Sequence, residues 1–232
     1  MLTIGHRGAR GHIAENTIES IKKALEFNVD GIEIDVFCCA TGEVVVFHDE
    51  NLNRLTGYKG LIEKTTLEEL NKILVDGKYK IPTLEEVINL VGNKILLNIE
   101  LKGKNTAIPT SLILKKSINT LKLLSETLIV SSKDWYELEV FKNQNTDIPI
   151  ALLSDSHIVL EKDIFMMAKK LDAIALHPRL STLSKKIVDK IHSNGLLVNS
   201  WTINSPRHIK KAIDYGVDGI ISDYPDRVKN LV

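Results

Sequence analysis

Short apolar runs alternate with amphipathic stretches along the whole chain, which has 232 residues. Eight of these runs are predicted to be β-strands, because short apolar segments between helical stretches are typical of buried strands. The predicted strands are Leu2–Gly5, Gly31–Val36, Lys94–Leu101, Thr127–Ser131, Pro149–Leu153, Asp172–Leu176, Leu196–Ser200 and Gly219–Ser222. Most of the stretches between them have the apolar spacing of a helix that packs one face on a sheet.

The clearest predicted helix follows the first strand. Asn16 as the N-cap and Glu19 three residues later would form a capping box. Ile18, Ile21 and Leu25 then form an apolar stripe with helical spacing. The pattern therefore predicts an amphipathic helix that begins at Asn16.

Regular alternation of strands and helices predicts parallel pairing with right-handed crossovers. Eight such units in a chain of 232 residues suit a (β/α)8 barrel, which typically needs about 250 residues. A doubly wound open sheet is the main alternative, but no glycine-rich dinucleotide-binding turn follows any predicted strand. The predicted fold is therefore an α/β barrel of eight units.

One segment interrupts this alternation. Residues 43–47 predict an extra strand after a turn at Thr41-Gly42, and residues from about 49 to 80 contain glycines, asparagines and one short helical pattern. We interpret residues 49–80 as a small insertion after the second strand. It is not expected to bury a core of its own, so residues 1–232 are predicted to form a single domain.

The composition is that of an ordinary globular protein, with 44% hydrophobic and 26% charged residues. Lysine and arginine balance aspartate and glutamate at 30 each, so no basic surplus predicts binding to nucleic acid. No apolar run approaches the roughly 20 residues that span a bilayer, and no Lys/Arg cluster is typical of a membrane-surface site. A cytoplasmic location without stable membrane association is therefore expected, whereas the oligomeric state stays open.

Carboxylates occur at the ends of two predicted strands that should be neighbours in the barrel. Glu33 and Asp35 lie two residues apart and share one face of the second strand, and Glu100 ends the third. Three oxygen ligands of this kind suit Mg²⁺ or Ca²⁺, although they could instead be solvated charges. Because unpaired acidic residues are rare inside near-continuous apolar strands, the sequence favours a divalent metal ion as cofactor.

Two histidines end strands near these carboxylates: His6 ends the first predicted strand and His48 the extra one. Such a pair across a phosphate can supply a base and an acid near neutral pH, although each histidine alone would more often be structural. Arg7 and Lys102 are expected to bind the phosphate, with a surface ion pair as the alternative for Arg7. Together with the carboxylates, these residues predict a metal-assisted phosphodiester hydrolase.

Trp201 ends the seventh predicted strand and shares a face with Asn199. It could form an apolar wall of the substrate pocket or pack in the core, and the sequence leaves both interpretations open. Trp201 is therefore kept as a candidate substrate-binding residue.

Ten short segments in the chain match, in order, the pattern of a known family. The segments are His6-Arg7-Gly8, Glu15-Asn16-Thr17, Glu33-Ile34-Asp35-Val36, His48-Asp49, Leu52-Asn53-Arg54-Leu55-Thr56-Gly57, Ile81-Pro82-Thr83-Leu84-Glu85-Glu86, Glu100-Leu101-Lys102, Trp201-Thr202-Ile203-Asn204, Gly216-Val217-Asp218-Gly219 and Asp223-Tyr224-Pro225. With them the chain resembles the glycerophosphodiester phosphodiesterases along nearly its whole length. One departure is the turn Cys39-Ala40-Thr41-Gly42, where that family usually has Thr-x-Asp-Gly.

The resemblance implies a TIM barrel with a segment inserted after the second strand. It further implies a divalent ion held by Glu33, Asp35 and Glu100, with His6 and His48 as the acid–base pair. The family splits glycerophosphodiesters, which are small-molecule substrates, into glycerol 3-phosphate and an alcohol.

The same resemblance implies that Arg7 and Lys102 bind phosphate and that Trp201 lines the pocket. Two other functions remain open. A related phosphodiesterase could act on lysophospholipids or phosphoinositides, in the manner of a phospholipase D or C, but it would need an apolar rim or membrane-docking loop. A non-catalytic phosphate-binding barrel should have lost one of the carboxylates or histidines, and none is missing.

Overall fold

The computed structural model of the protein describes residues 1–154 and 162–232, which contain eleven strands. In chain order the strands are β1 (Leu2–His6), β2 (Gly31–Cys38), β3 (Val44–Val46), β4 (Leu74–Val75), β5 (Tyr79–Lys80), β6 (Leu96–Leu101), β7 (Leu128–Ser132), β8 (Ile150–Ser154), β9 (Ala175–Pro178), β10 (Leu197–Ser200) and β11 (Gly219–Ser222). Eight of them pair in parallel in the order β1, β2, β6, β7, β8, β9, β10 and β11, and β11 pairs with β1 to close the barrel. The predicted (β/α)8 barrel is confirmed, and the open sheet is excluded.

A helix follows each barrel strand before the next barrel strand or the chain end, and two further short helices lie in the inserted segment. They are α1 (Ile18–Glu26), α2 (Asn53–Thr56), α3 (Leu67–Leu70), α4 (Leu84–Val91), α5 (Ala107–Leu121), α6 (Trp135–Gln144), α7 (Lys162–Lys170), α8 (Lys185–Ser193), α9 (Pro206–Tyr215) and α10 (Pro225–Lys229). Short 3-10 helices occupy Ile62–Lys64, Ser125–Thr127 and Leu180–Thr182. Within residues 1–154 and 162–232, no helix is both long and apolar enough to cross a bilayer.

The alternation along β2 separates the core from the functional side chains. Ile32, Ile34 and Val36 are fully buried in the apolar layer between the strands and the helices. Because successive side chains of a strand point to opposite faces, Glu33 and Asp35 lie on the inner face of the barrel. One strand thus supplies both the core and the site.

The N-cap of helix α1 is Thr17, one residue later than predicted. The Thr17 hydroxyl accepts a hydrogen bond from the Ser20 amide at 3.1 Å. Asn16 instead has a φ of +58° and donates its amide hydrogen to the Arg7 carbonyl at 3.1 Å. The prediction that Asn16 caps this helix is therefore wrong, and its side chain is free for another role.

The sixth barrel strand begins three residues after its predicted start. Asp172 has a φ of +52°, and the amide of Ala173 donates to the Ala168 carbonyl at 2.9 Å. These two residues end helix α7 and do not begin β9, so the apolar pattern placed the strand boundary too early.

Strand β3 confirms the predicted extra strand and pairs antiparallel with β2. The segment that follows contains α2, α3 and the β4–β5 hairpin. Its apolar side chains form a second buried cluster together with residues of β2 and β3 and the residues that adjoin them. The members are Phe37, Cys39, Val45, Phe47, Leu52, Ile62, Leu70, Ile73, Val75 and Ile81. The insertion therefore does bury apolar side chains, in a cluster that it shares with the barrel.

Candidate active site

Strand register brings the predicted carboxylates and one histidine together at the carboxyl ends of β1, β2 and β6. His6 is directly opposite Glu33 in the β1–β2 pair. Asp35 is directly opposite Glu100 in the β2–β6 pair. Because the carboxyl ends of parallel strands meet at one end of a barrel, residues as far apart in sequence as His6 and Glu100 form one site.

The three carboxylates form a buried cluster. Glu33, Asp35 and Glu100 are only 3%, 1% and 7% exposed, and each offers a ligand atom within 4.8 Å of the others. Burial and the charges of Asp35 and Glu100 raise the pKa of Glu33 well above its usual value. Burial acts the same way on Asp35, but the charges of Arg7, His48 and Lys102 lower the pKa of that carboxyl.

This cluster has unused ligand capacity. Among the described residues, Glu33 Oε1 and Asp35 Oδ1 are buried without a hydrogen-bond partner. Buried carboxylate oxygens are costly unless they are paired or coordinate a metal. The donor set consists only of carboxylate oxygens, which hard cations such as Mg²⁺ and Ca²⁺ prefer. The cluster could therefore hold a divalent ion.

His6 is oriented by a carboxylate that lies 217 positions further along the chain. Its Nδ1 lies 2.6 Å from Asp223 Oδ1, and its Nε2 lies 3.9 Å from Glu33 Oε2. Asn204 in turn donates to Asp223 at 2.7 Å. Burial lowers the pKa of His6, although the hydrogen bond to Asp223 opposes the shift. The ring is thus held with Nε2 on the side of the carboxylate cluster.

His48 has the same arrangement with a different carboxylate. Its Nδ1 lies 2.5 Å from Asp49 Oδ1. Arg54 holds Asp49 through Nε at 2.5 Å and Nη2 at 3.0 Å. Burial lowers the pKa of His48 too, and the charge of Asp35 opposes that shift. Both histidines therefore have a carboxylate at Nδ1, which orients Nε2 for proton exchange.

The two predicted phosphate-binding cations lie against the cluster. The Arg7 amide donates to Glu33 Oε2 at 3.0 Å, its Nη1 donates to Glu15 at 2.6 Å, and its Nε lies 3.1 Å from Asp35 Oδ2. Lys102 Nζ donates to Glu100 Oε1 at 3.0 Å and lies 3.8 Å from Asp35 Oδ1. Arg7 is only 8% exposed, so the alternative of a surface ion pair is wrong.

These residues open into a cavity of about 350 Å³. Seven of the eight predicted site residues line it: His6, Arg7, Glu33, His48, Glu100, Lys102 and Trp201. The eighth, Asp35, lies next to them beside Arg7. Trp201 is partly exposed, and its Nε1 donates to the His177 carbonyl at 2.6 Å. Trp201 is therefore part of the cavity wall, not of the apolar core.

Several residues that position the site were not identified from the sequence, among them Asn16, Glu15 and Asp223. Asn16 donates to Asp35 Oδ2 at 2.9 Å and accepts from the Asp35 amide at 3.3 Å, so it positions this carboxylate. Glu15 accepts hydrogen bonds from Arg7 and Arg54, and Asp223 binds His6. Glu15 and Asn16 stand in one matched segment and Asp223 in another, but the residues alone gave no sign of their partners.

Comparison with known proteins gives one consistent family. Residues 6–227 match the glycerophosphoryl diester phosphodiesterase family. A glycerophosphodiester phosphodiesterase of Caldanaerobacter subterraneus subsp. tengcongensis is 36% identical, covering 100% of this chain and 97% of that protein. One of Bacillus altitudinis is 33% identical, covering 97% of this chain and 96% of the relative.

A solved structure has a closely similar fold. It is a phosphodiesterase of Oleispira antarctica in complex with the product sn-glycerol-3-phosphate. The TM-score is 0.88 at 29% identity, and the match covers 99% of this chain and 96% of that chain. The fold of this chain is thus that of a solved phosphodiesterase over nearly its whole length.

Glu15 is predicted to stabilise the fold through its arginines. Burial alone would raise the pKa of Glu15, but the hydrogen bond from Arg54 and the charges of Arg7 and Arg10 lower it to about 2. Replacing Glu15 by Gln leaves buried Arg7 with less compensating charge, so the free energy of unfolding should fall by about 1–3 kcal/mol at neutral pH.

Urea denaturation at several pH values tests this role of Glu15. The folded-state pKa lies below the unfolded value of about 4.5, so the stabilisation is complete above that pH and is lost as the pH falls towards 2. The difference between the wild type and Glu15→Gln should shrink over this range. Glu19→Gln, at an exposed position of α1, is the control. A difference that is absent, or that does not change with pH, would contradict the prediction.

Proposed function

Because the chain belongs to the glycerophosphoryl diester phosphodiesterase family, we propose that it hydrolyses glycerophosphodiesters to glycerol 3-phosphate and an alcohol, with a divalent ion and two histidines. The observation that carries this proposal is the cluster of three buried carboxylates beside His6 and His48. The product bound to the Oleispira antarctica enzyme supports the proposed product.

Glu33, Asp35 and Glu100 would hold the ion, because their oxygens converge and two of these oxygens have no hydrogen-bond partner among the described residues. When bound there, a divalent ion neutralises phosphate charge and orients the phosphoryl group. The protein itself balances the remaining charge. Arg7 and Lys102 lie within 4 Å of the cluster's oxygens and reduce the repulsion among the carboxylates.

His6 and His48 move the protons in this proposal. One neutral ring takes the proton of the nucleophile at Nε2 as the new P–O bond forms. The other ring, protonated, gives its Nε2 proton to the alcohol oxygen as the old P–O bond breaks. Asp223 and Asp49 accept the Nδ1 hydrogens and so select the tautomer that exposes Nε2. The nucleophile is a water or the glycerol 2-hydroxyl, and the latter would give a cyclic phosphate first.

Arg7 and Lys102 are proposed to bind the phosphate oxygens. Both line the cavity beside the carboxylates. The contacts of Arg7 with Glu15 and Asp35 use Nη1 and Nε, so these two residues leave its Nη2 for an anion. Trp201 is proposed to give the substrate an apolar wall, since its indole nitrogen is already bonded to the His177 carbonyl.

We propose one domain for residues 1–232. The insertion completes its apolar cluster with Phe37, Val45 and Phe47, which lie on or directly beside β2 and β3. His48 and Asp49 follow β3, so the insertion begins next to residues of the active site. A segment that shares both its core and its functional residues with the barrel is expected to fold with it.

Metal dependence is the first test of this function. Release of glycerol 3-phosphate from glycerophosphodiesters should stop when a chelator removes divalent ions, because the carboxylates then leave the phosphate charge uncompensated. Mg²⁺, Ca²⁺ or a similar ion should restore it. Glu33→Gln should resist restoration, whereas Glu126→Gln, at an exposed position, should behave as wild type. Full turnover in a verified metal-free preparation would disprove the metal requirement.

The histidine pair gives a second test. His6→Ala and His48→Ala should each reduce kcat about 10²–10⁴-fold, the usual effect of losing a positioned acid or base. Folding, followed by circular dichroism, and ion affinity, followed by calorimetry, should change little. His192→Ala, whose ring pairs with Asp218 outside the cavity, controls for loss of a histidine. A variant with near wild-type kcat has no proton-transfer role at that position.

The third test concerns the lipid alternative. Small water-soluble diesters such as glycerophosphocholine should be preferred over a lysophospholipid, because the insertion exposes few large apolar side chains for an acyl chain. Those on segment 49–80 are Tyr58, Leu61 and Leu74, each 38–43% exposed. Acyl-chain or bilayer binding needs more buried apolar area or cationic charge. The comparison of kcat/KM for the two substrate types decides, and a clear preference for the lysophospholipid would favour the phospholipase alternative.

A further inference from the structure

A second cavity adjoins the active-site cavity. Its volume is about 470 Å³, and its lining comes from the segment after β9, the residues after β10 and helix α9. Arg179, Trp201 and Thr202 line both cavities. The two spaces are therefore adjacent, with these residues between them.

The charges that line this second cavity all have one sign. Arg179 and Lys211 line it together with His208, and none of its described lining residues is acidic. Elsewhere in the site, arginines and lysines such as Arg7 and Lys102 are paired with carboxylates. Arg179 and Lys211 form no salt bridge with a carboxylate in residues 1–154 and 162–232. This cavity thus has positive charge that no described residue neutralises.

The two cations contact aromatic rings instead. The guanidinium carbon of Arg179 lies 4.9 Å from the centre of the Trp201 ring, and Lys211 Nζ lies 5.4 Å from that of Tyr215. The Trp201 ring is held by its hydrogen bond to the His177 carbonyl. The Trp201 amide donates a hydrogen bond to the Pro178 carbonyl, and the Leu180 amide donates one to the Trp201 carbonyl, each at 3.2 Å. These two bonds fix the backbone on both sides of Arg179. Arg179 is therefore supported at the boundary between the cavities.

The alcohol half of a diester must lie on the side of the phosphate away from the glycerol. If the phosphate binds between the carboxylates, Arg7 and Lys102, an alcohol that extends past Trp201 and Arg179 would lie in the second cavity, because these two residues line both spaces. We propose that this cavity binds the alcohol half of glycerophosphodiesters whose alcohol carries a carboxylate or phosphate, with Arg179 and Lys211 as its counter-ions. This inference rests on the proposed hydrolase function.

The expected preference is moderate, because both cations are exposed. Exposed ion pairs contribute little individually, and a planar guanidinium adds hydrogen bonds to carboxylate or phosphate. Two such contacts should raise kcat/KM roughly three- to tenfold for an anionic alcohol. Salt screens charges at the surface over about 8–10 Å, so the preference should be larger at low than at high ionic strength.

Three matched substrates test the proposal on the metal-loaded enzyme. Glycerophosphoserine and glycerophosphoethanolamine differ by a single carboxylate on the alcohol. The methyl ester of glycerophosphoserine keeps the added size but removes the charge. The serine diester should have a kcat/KM about three to ten times that of the other two, with the difference mainly in KM.

Variants identify the residues responsible. Arg179→Gln and Lys211→Gln should each lower the ratio of kcat/KM for the serine diester to that for the ethanolamine diester, and the double variant should bring it close to one. Lys210→Gln is the matched control, because Lys210 is the exposed neighbour of Lys211 but does not line the cavity. It should keep the wild-type ratio.

The outcomes separate this inference from the function on which it rests. Hydrolysis of all three substrates at similar kcat/KM would overturn the inference and leave the function intact. So would a serine preference that both variants keep or that the methyl ester shares. Hydrolysis of none of the three would overturn the proposed function together with the inference.

Discussion

The active site depends on holding three carboxylates, each nearly inaccessible to water, within 4.8 Å of one another. Such a cluster is unstable by itself, since burial and mutual repulsion both disfavour the charged forms. Arg7 and Lys102 supply positive charge from one side. Glu33 Oε1 and Asp35 Oδ1 have no hydrogen-bond partner among the described residues, and these are the oxygens that a metal ion would bind. The same constraint thus shapes the cation contacts and the proposed metal site.

A second set of carboxylates serves a different purpose. Asp223 and Asp49 do not join the cluster but orient the two histidines. Asp49 is tied through Arg54 to Glu15, which also binds Arg7. The site is therefore one connected network of charges. His6 and His48, the residues proposed to move protons, are held by Asp223 near the end of the chain and by Asp49 at the start of the insertion.

The barrel architecture allows the proposed site to contact more of a substrate than its phosphate. Its carboxyl-end segments come from eight units, and each can change without altering the strands. Here β1, β2 and β6 and the residues after them provide the carboxylates and the proposed phosphate-binding cations, whereas the segments after β9 and β10 provide Arg179 and Trp201. The residues proposed for the chemistry and those proposed for recognition of the alcohol thus come from different segments around one opening. The net charge of the chain is zero. It conceals the local excess of positive charge at Arg179 and Lys211, because acidic residues elsewhere in the chain balance the sum.

The sequence by itself determined the barrel, the carboxylates and the two histidines. The spacing of apolar residues along a strand or helix reflects which face of that element is buried, so it can be recognised in the sequence. Glu33 and Asp35 stand out because their charges interrupt an apolar strand. Only the tertiary structure decided that Asp223 reaches His6 and that Asn16 bonds Asp35 instead of capping α1. These contacts depend on closure of β11 against β1 and on the path of the loop before α1. No local pattern encodes which distant donor meets which acceptor, because that choice follows from packing the whole chain.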